Sequence, residues 1–121
     1  MSEAKILVVD DDANIRFAFH EVLEKEGHVC LEAKDGAEAL QQFSDEQPRV
    51  VFMDIVLPDT NGLDVLSAIK KIDASVPVVV ISGYGTEEAA KQIKQLGAFD
   101  FLHKPLSVVK VREAIHKALE T

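Results

Sequence analysis

A single cysteine, Cys30, excludes an internal disulfide and fits a reducing compartment. No apolar run approaches the roughly 20 residues needed to cross a bilayer. The opening MSEAK lacks the apolar core of a signal peptide, so the expected location is the cytoplasm, with no membrane partner. Basic side chains are few: 13 Lys and Arg against 21 Asp and Glu leave a net charge of −8. That balance argues against direct nucleic-acid binding by this chain. No linker, repeat or low-complexity segment interrupts the sequence. Residues 1–121 are therefore expected to form one domain, long enough to bury a core.

Short apolar runs alternate with amphipathic stretches five times. The runs are Ile6–Val9, Val29–Leu31, Val50–Met53, Val78–Ile81 and Phe99–Leu102. Three are continuous and rich in Val and Ile, the pattern of parallel strands covered on both faces. The second is weaker, with Glu32 close behind it, and suits a sheet edge. Between them, Ile15, Ala18, Phe19, Val22 and Leu23 recur at helical spacing. Ala39, Leu40 and Phe43 mark a second helix, and Val65, Ile69 and Ile72 a third. Ala89, Ala90, Ile93 and Leu96 mark a fourth, and Val108, Val111, Ile115 and Leu119 the last. Gly27 and Gly97 end helices, while Asp12, Asp35 and Ser107 suit N-caps. The order predicts an α/β fold: a (βα)5 doubly wound, five-stranded parallel sheet with right-handed crossovers. Such sheets place their site beyond the C-terminal ends of the strands.

"ILVVDDD" brings Asp10, Asp11 and Asp12 to that rim, and "VVFMDIVLP" adds Asp54. "VVVISGYG" adds Ser82, and "FDFLHKP" adds Lys104 before Pro105. Two carboxylates ~4 Å apart repel by about 4 kcal/mol at an effective dielectric of ~20. Uncompensated, at least one would hold its proton. A divalent cation removes the difficulty, and oxygen-only ligands with open positions favour Mg²⁺. His103 points to the other side of its strand and is not taken as a ligand. A carboxylate beside Mg²⁺ and a lysine can act as a nucleophile toward phosphorus, with the cations neutralising the phosphoryl oxygens. Taken singly, Ser82 is an ordinary loop hydroxyl and Lys104 a solvated charge; their coincidence at four strand ends is what points to chemistry. Asp10, Asp12, Asn14 and Glu21 share the spacing of a calcium-binding EF-hand loop. Ile15 stands where that loop needs Gly, which sets the motif aside.

These segments, with "AKDGAEAL", resemble the receiver domain of two-component response regulators in order and spacing across essentially the whole chain. The resemblance implies the flavodoxin-like strand order 2-1-3-4-5. It also implies a signalling switch, not an enzyme in the usual sense, which catalyses its own phosphotransfer and autodephosphorylation. Asp54 is then the phosphorylated residue, served by a sensor histidine kinase or phosphotransfer protein. Asp11, Asp54 and the carbonyl of Val56 would bind Mg²⁺ directly, and Asp10 through water. Ser82 and Lys104 would contact the phosphoryl group, Phe101 would be the aromatic switch, and the Lys104–Pro105 bond would be cis.

The implied output is a shape change on the face built by the fourth helix, fifth strand and fifth helix (α4-β5-α5), read by an unknown output domain or effector. A homodimer through that face is possible, because Lys91, Lys94, Arg112 and Lys117 could pair with Asp100 across a two-fold axis. "SGYGTEEAAKQIKQLGAFDFLHKP" looks most like receivers attached to sigma-54-type activators. Val56 and Tyr84 offer no acid or amide to orient water, which predicts slow self-dephosphorylation. Three rivals remain. A flavin or nucleotide binder would need a Ser/Thr/Gly-rich phosphate loop in place of Asp10–Asp12. A docking-only pseudo-receiver would not keep Asp11, Asp54, Ser82 and Lys104. An aspartyl phosphatase would show D-x-D-x-T at the first strand end, where Asp10 and Asp12 are followed by Asn14 at the Thr position.

Overall fold

A computed structural model describes residues 3–83 and 87–120. Five strands alternate with five helices: β1 (Lys5–Val9), α1 (Ala13–Lys25), β2 (Val29–Ala33), α2 (Gly36–Glu46), β3 (Val50–Asp54), α3 (Gly62–Ile72), β4 (Val78–Ser82), α4 (Glu87–Gln95), β5 (Asp100–His103) and α5 (Val108–Leu119). All pairings are parallel, in the order β2-β1-β3-β4-β5. Strand period decides which layer each side chain joins. Leu7, Val9, Val51, Met53, Val78 and Val80 face α2, α3 and α4, against Phe43, Leu66, Ile69 and Ile93. Ile6, Val8, Val50, Phe52, Val79 and Ile81 face α1 and α5, against Phe19, Leu23, Val111 and Ile115. Phe19 and Phe52 meet with ring centroids 5.0 Å apart. The three central strands are buried along both faces, which is why their sequences run apolar without alternation.

The edges behave differently. β2 continues two residues past Leu31, because Glu32 and Ala33 still pair with Val8 and Val9 while Glu32 points to solvent. β5 is shifted one residue from the apolar run, since Phe99 only donates its N–H to the Val78 carbonyl (2.8 Å) before the paired strand begins. Several stripe positions are not core. Ala18 is exposed, and so are Ile72, Leu96 and Val108. On α5 the small Ala114 and Ala118 take burial that apolar spacing alone gave to larger residues.

The expected caps are in place. Asp12, Asp35 and Ser107 accept from the N–H groups of Asn14, Glu38 and Lys110. Gly27 ends α1 at φ 83° with His28 N–H to Leu23 O and Gly27 N–H to Glu24 O; Gly97 repeats the pattern after α4. Asp12 is thus a helix cap, as expected. Ile15 lies inside α1, so residues 10–21 do not form an EF-hand loop.

Candidate functional site

Parallel strands end together, and here the ends of β1, β3, β4 and β5 meet on one rim. Asp10 prolongs β1 by donating its N–H to the Ala33 carbonyl at 3.0 Å. Its Oδ1 accepts the Asp12 N–H at 2.9 Å, so the turn into α1 orients the carboxylate. Arg16, one turn into α1, donates Nη1 to the Asp10 carbonyl at 2.7 Å. Asp54 closes β3, with Oδ1 accepting the Val56 N–H at 2.9 Å. Lys104 follows β5, anchored by its N–H to the Ser82 carbonyl at 2.8 Å. The Lys104–Pro105 peptide is cis.

Lys104 joins the two buried acids. Its Nζ lies 2.7 Å from Asp54 Oδ2 and 2.9 Å from Asp10 Oδ2. The first contact is a hydrogen bond; the second is an ion pair outside hydrogen-bond geometry, leaving Asp10 Oδ2 buried without a donor. Burial raises the Asp10 pKa above the ordinary carboxylate value, against the lowering effect of the Asp12 N–H and then of Lys104. For Lys104, burial works downward, but its contacts with Asp54 and Asp10 outweigh it and its pKa is raised. Asp11 adds a third, solvent-facing carboxylate. One oxygen from each of Asp10, Asp11 and Asp54 lies within 4.8 Å of the others.

Three carboxylates facing one ammonium leave excess negative charge in a partly dry pocket. The donor set is oxygen only, which fits a hard divalent ion such as Mg²⁺. Ser82 is fully buried at the end of β4. Val56 is exposed, next to Asp54, in an antiparallel bridge with Asn61 that closes the loop after β3. Phe101 is half-buried against the α2-α3-α4 layer and meets His103 edge-on, 4.8 Å between centroids. His103 is exposed and shares the Phe101 face of β5 by strand period. A Cβ at Gly83 would meet Lys104 Cβ only at 4.0 Å, so packing alone does not demand glycine there. Tyr84 and Gly85 lie outside the described residues.

Two supporting residues escaped the sequence reading. One is Arg16. The other is Asp59 in the β3–α3 loop, whose Oδ1 and Oδ2 accept the Gly36 and Ala37 N–H groups at 2.8 and 3.0 Å. It ties the loop carrying Val56 to the first turn of α2. The Gly36 bond, then the Ala37 bond, hold the Asp59 pKa below the usual aspartate value. A depressed carboxylate stabilises the fold above its unfolded pKa of 3.8, and that contribution is lost as pH falls through the folded value. Asp59→Ala is therefore expected to lower Tm at pH 7, with the deficit shrinking in thermal melts below pH 3.8. A deficit independent of pH would show that the two hydrogen bonds are not its source.

Comparison with known proteins gives the chain's family. The family model described as "Response regulator receiver domain" matches residues 6–116. Sporulation initiation phosphotransferase F of Bacillus subtilis is 34% identical over 119 residues, covering 98% of this chain and 96% of that protein. Chemotaxis protein CheY of the same organism is 38% identical over 116 residues, 95% and 97% of the two chains. The crystal structure of NtrX from Brucella abortus superposes with a TM-score of 0.92 at 40% identity. There the match covers 98% of this chain but 27% of the NtrX chain. The chain thus spans nearly all of two relatives and about a quarter of a third.

Proposed function

Because the chain belongs to the response regulator receiver domain family of two-component signalling, we propose that it is a switch thrown by phosphorylation of Asp54. The carrying observation is the convergence of Asp10, Asp54 and Lys104 from three strand ends, at 2.7 and 2.9 Å, with Asp11 beside them. In the reaction an Asp54 carboxylate oxygen forms the new bond to phosphorus. The P–N bond of a kinase or phosphotransfer phosphohistidine breaks, and its electron pair leaves on the imidazole. Mg²⁺, held by Asp11, Asp54 and the Val56 carbonyl, with Asp10 reached through water, would neutralise the incoming phosphoryl oxygens.

The chain's own residues do the rest. Val56 N–H fixes the orientation of the Asp54 carboxylate before attack. Lys104 already touches the nucleophile, so no long reach is needed for it to pair with the phosphoryl group. Ser82, buried at the end of the neighbouring strand, supplies a hydroxyl that turns toward the added charge. Phe101, half-buried, then moves further inward, and the α4-β5-α5 face changes shape. An output domain or effector reads this face. Lys94 and Asp100 already form a 3.9 Å pair within one chain, an exposed contact worth little. A homodimer on this face would recruit both across a two-fold axis.

No helix among the described residues is long and apolar enough to cross a membrane, and we place the switch in the cytoplasm. The flavin-binding alternative fails on charge, because the ligand phosphate would meet three carboxylates.

The test is intact-protein mass spectrometry after incubation with acetyl phosphate and Mg²⁺. One phosphoryl group should be gained, not gained when a chelator is present from the start or when Asp54 is replaced by Asn, and mapped to position 54 by borohydride reduction of the acyl phosphate. An unmodified chain with donor and metal in excess would end the proposal. The exposed apolar Val56 leaves attacking water unoriented. Val56→Asn is accordingly expected to shorten the phosphoryl lifetime, read by loss of the modified mass over time. An unchanged or longer lifetime would contradict that role.

A further inference from the structure

A second group of metal-ligating side chains sits at the opposite sheet edge from Lys104, where α1 covers β2. His20 comes from α1, and Cys30 and Glu32 come from alternate positions of β2 that share one face. One ligand atom from each lies within 4.8 Å of the others. We propose that His20, Cys30 and Glu32 form a transition-metal site of the Zn²⁺ type, separate from the oxygen-only pocket of Asp10, Asp11 and Asp54.

Three features beyond proximity support it. First, the imidazole is already set up as a ligand. His20 Nε2 lies 2.9 Å from Glu24 Oε1, and a carboxylate there accepts the Nε2 proton, leaving the lone pair of a neutral ring on Nδ1. That Nδ1 is buried and has no hydrogen-bond partner. A carboxylate behind a histidine whose other nitrogen is open is the arrangement that orients metal-bound imidazole.

Second, one pair of donors already stands near metal-site spacing, with the Cys30 sulfur within 4.8 Å. Nδ1 is 3.7 Å from Glu32 Oε2, too long for a hydrogen bond. In a tetrahedral zinc site, bond lengths of about 2.0–2.3 Å set neighbouring donors roughly 3.3–3.6 Å apart. The remaining contraction is within reach of side-chain rotation, since Glu32 is exposed and the other two are half-buried.

Third, charge and softness agree. Glu24, Glu32 and a Cys30 thiolate, offset by Arg16 with Nε 3.1 Å from Glu32 Oε1, leave two net negative charges. Arg16 occupies Oε1 and leaves Oε2 to face His20. Sulfur and imidazole favour zinc-like ions over Mg²⁺, and solvent would complete the fourth position. Without metal, burial first, then Glu32 and Glu24, push the Cys30 thiol up to about 12, so it holds its proton at neutral pH. Binding then forms the sulfur–metal bond and releases that proton to solvent.

A plain ionic cluster, with protonated His20 between Glu24 and Glu32, would make no use of Cys30, and this separates the two readings. The full chain, stripped of metal and kept in excess Mg²⁺, is titrated with Co²⁺ as the probe. One equivalent should bind with a thiolate-to-cobalt charge-transfer band and tetrahedral visible absorption, both bleached by Zn²⁺. Cys30→Ser should abolish the band, and Glu24→Gln should weaken Zn²⁺ binding by about tenfold or more in chelator competition. Asp54→Asn should leave the band intact. Should Cys30→Ser fold poorly, Glu32→Gln at its exposed position serves, again with weakened binding expected. Absence of the band in the wild-type chain would overturn the site. So would Zn²⁺ affinity unchanged in both Cys30→Ser and His20→Gln, which would assign the ion to scattered surface groups.

Discussion

Lys104→Met is expected to slow phosphoryl gain by roughly 10²–10³-fold while keeping the apolar stem of the side chain. It is also expected to destabilise the fold at pH 7 by about 3 kcal/mol, the scale for removing one partner of a buried ion pair. The ammonium is the positive side chain within 2.9 Å of both Asp10 and Asp54, which are 0% and 7% exposed at their side chains. Without it, two buried carboxylates face each other uncompensated. The pH dependence gives the signature. Asp10 already has a raised pKa in the native protein, chiefly from burial, and losing Lys104 pushes it further in the same direction. A carboxylate raised in the folded state binds protons more readily there than when unfolded. Stability therefore rises as pH falls through the raised value toward 3.8, where the unfolded chain also protonates. Denaturation of the variant should accordingly show its deficit at neutral pH and a recovery on mild acidification. Mg²⁺ should restore part of the loss, because it relieves the same repulsion. Adding Asp10→Asn should recover stability without recovering phosphotransfer, since that change removes the repulsion but not the need for a cation on the phosphoryl group. A variant equally stable at every pH would mean that the two acids are not held as charges by Lys104.

What the sequence made legible follows from where the physics is local. Continuous apolar runs rich in Val and Ile at 6–9, 50–53 and 78–81 are the pattern of strands buried on both faces, and their alternation with helix patterns made the parallel central sheet readable. The caps at Asp12, Asp35 and Ser107 depend on one side chain and the next few N–H groups, and all three are found. The meeting of Asp10, Asp54 and Lys104 was readable because a parallel sheet gathers its strand ends on one rim: Asp10 and Asp54 end neighbouring strands, and the long Lys104 side chain reaches both from beyond β4. The order of those neighbours was not in the periodicity and came from the family resemblance. Edges were less legible: β2 and β5 carry polar residues in register, and their limits are set by partners elsewhere in the chain. Arg16 and Asp59 were invisible for the same reason. Each acts on a backbone group brought near by tertiary packing, Arg16 on the Asp10 carbonyl and Asp59 on the first turn of α2. Nothing in the adjoining residues distinguishes them from solvated charges. The His20, Cys30 and Glu32 group needed the pairing of α1 with β2 before it could be noticed at all.

Gly62→Ala is expected to cost about 3 kcal/mol or more, lowering Tm by roughly 10 °C or more in a domain of this size. A Cβ there would lie 2.4 Å from Ile55 Cα and 2.8 Å from the Asp54 and Ile55 carbonyl oxygens. All three are backbone atoms of the strand end that carries Asp54, so no rotamer change relieves the contact. Gly62 N–H also donates to the Ile55 carbonyl at 2.8 Å, and pushing α3 away would break this bond. The alternative relief is a shift of residues 54–56, which would disturb the Val56 N–H that orients Asp54. The substitution should therefore lower both stability and the rate of phosphoryl gain, even though position 62 touches no reacting atom. Gly36→Ala is the informative comparison. Its nearest contact is also 2.4 Å, but to the Thr60 methyl, with Val65 Cγ2 and Asp59 Oδ1 at 3.0 and 3.2 Å. Those are side-chain atoms that can rotate, and alanine favours a helical position over glycine. Thermal melts and acetyl phosphate labelling of the two variants should thus diverge, with Gly62→Ala the more damaged in both. Similar losses in the two would show that the β3–α3 turn yields more easily than its backbone packing implies.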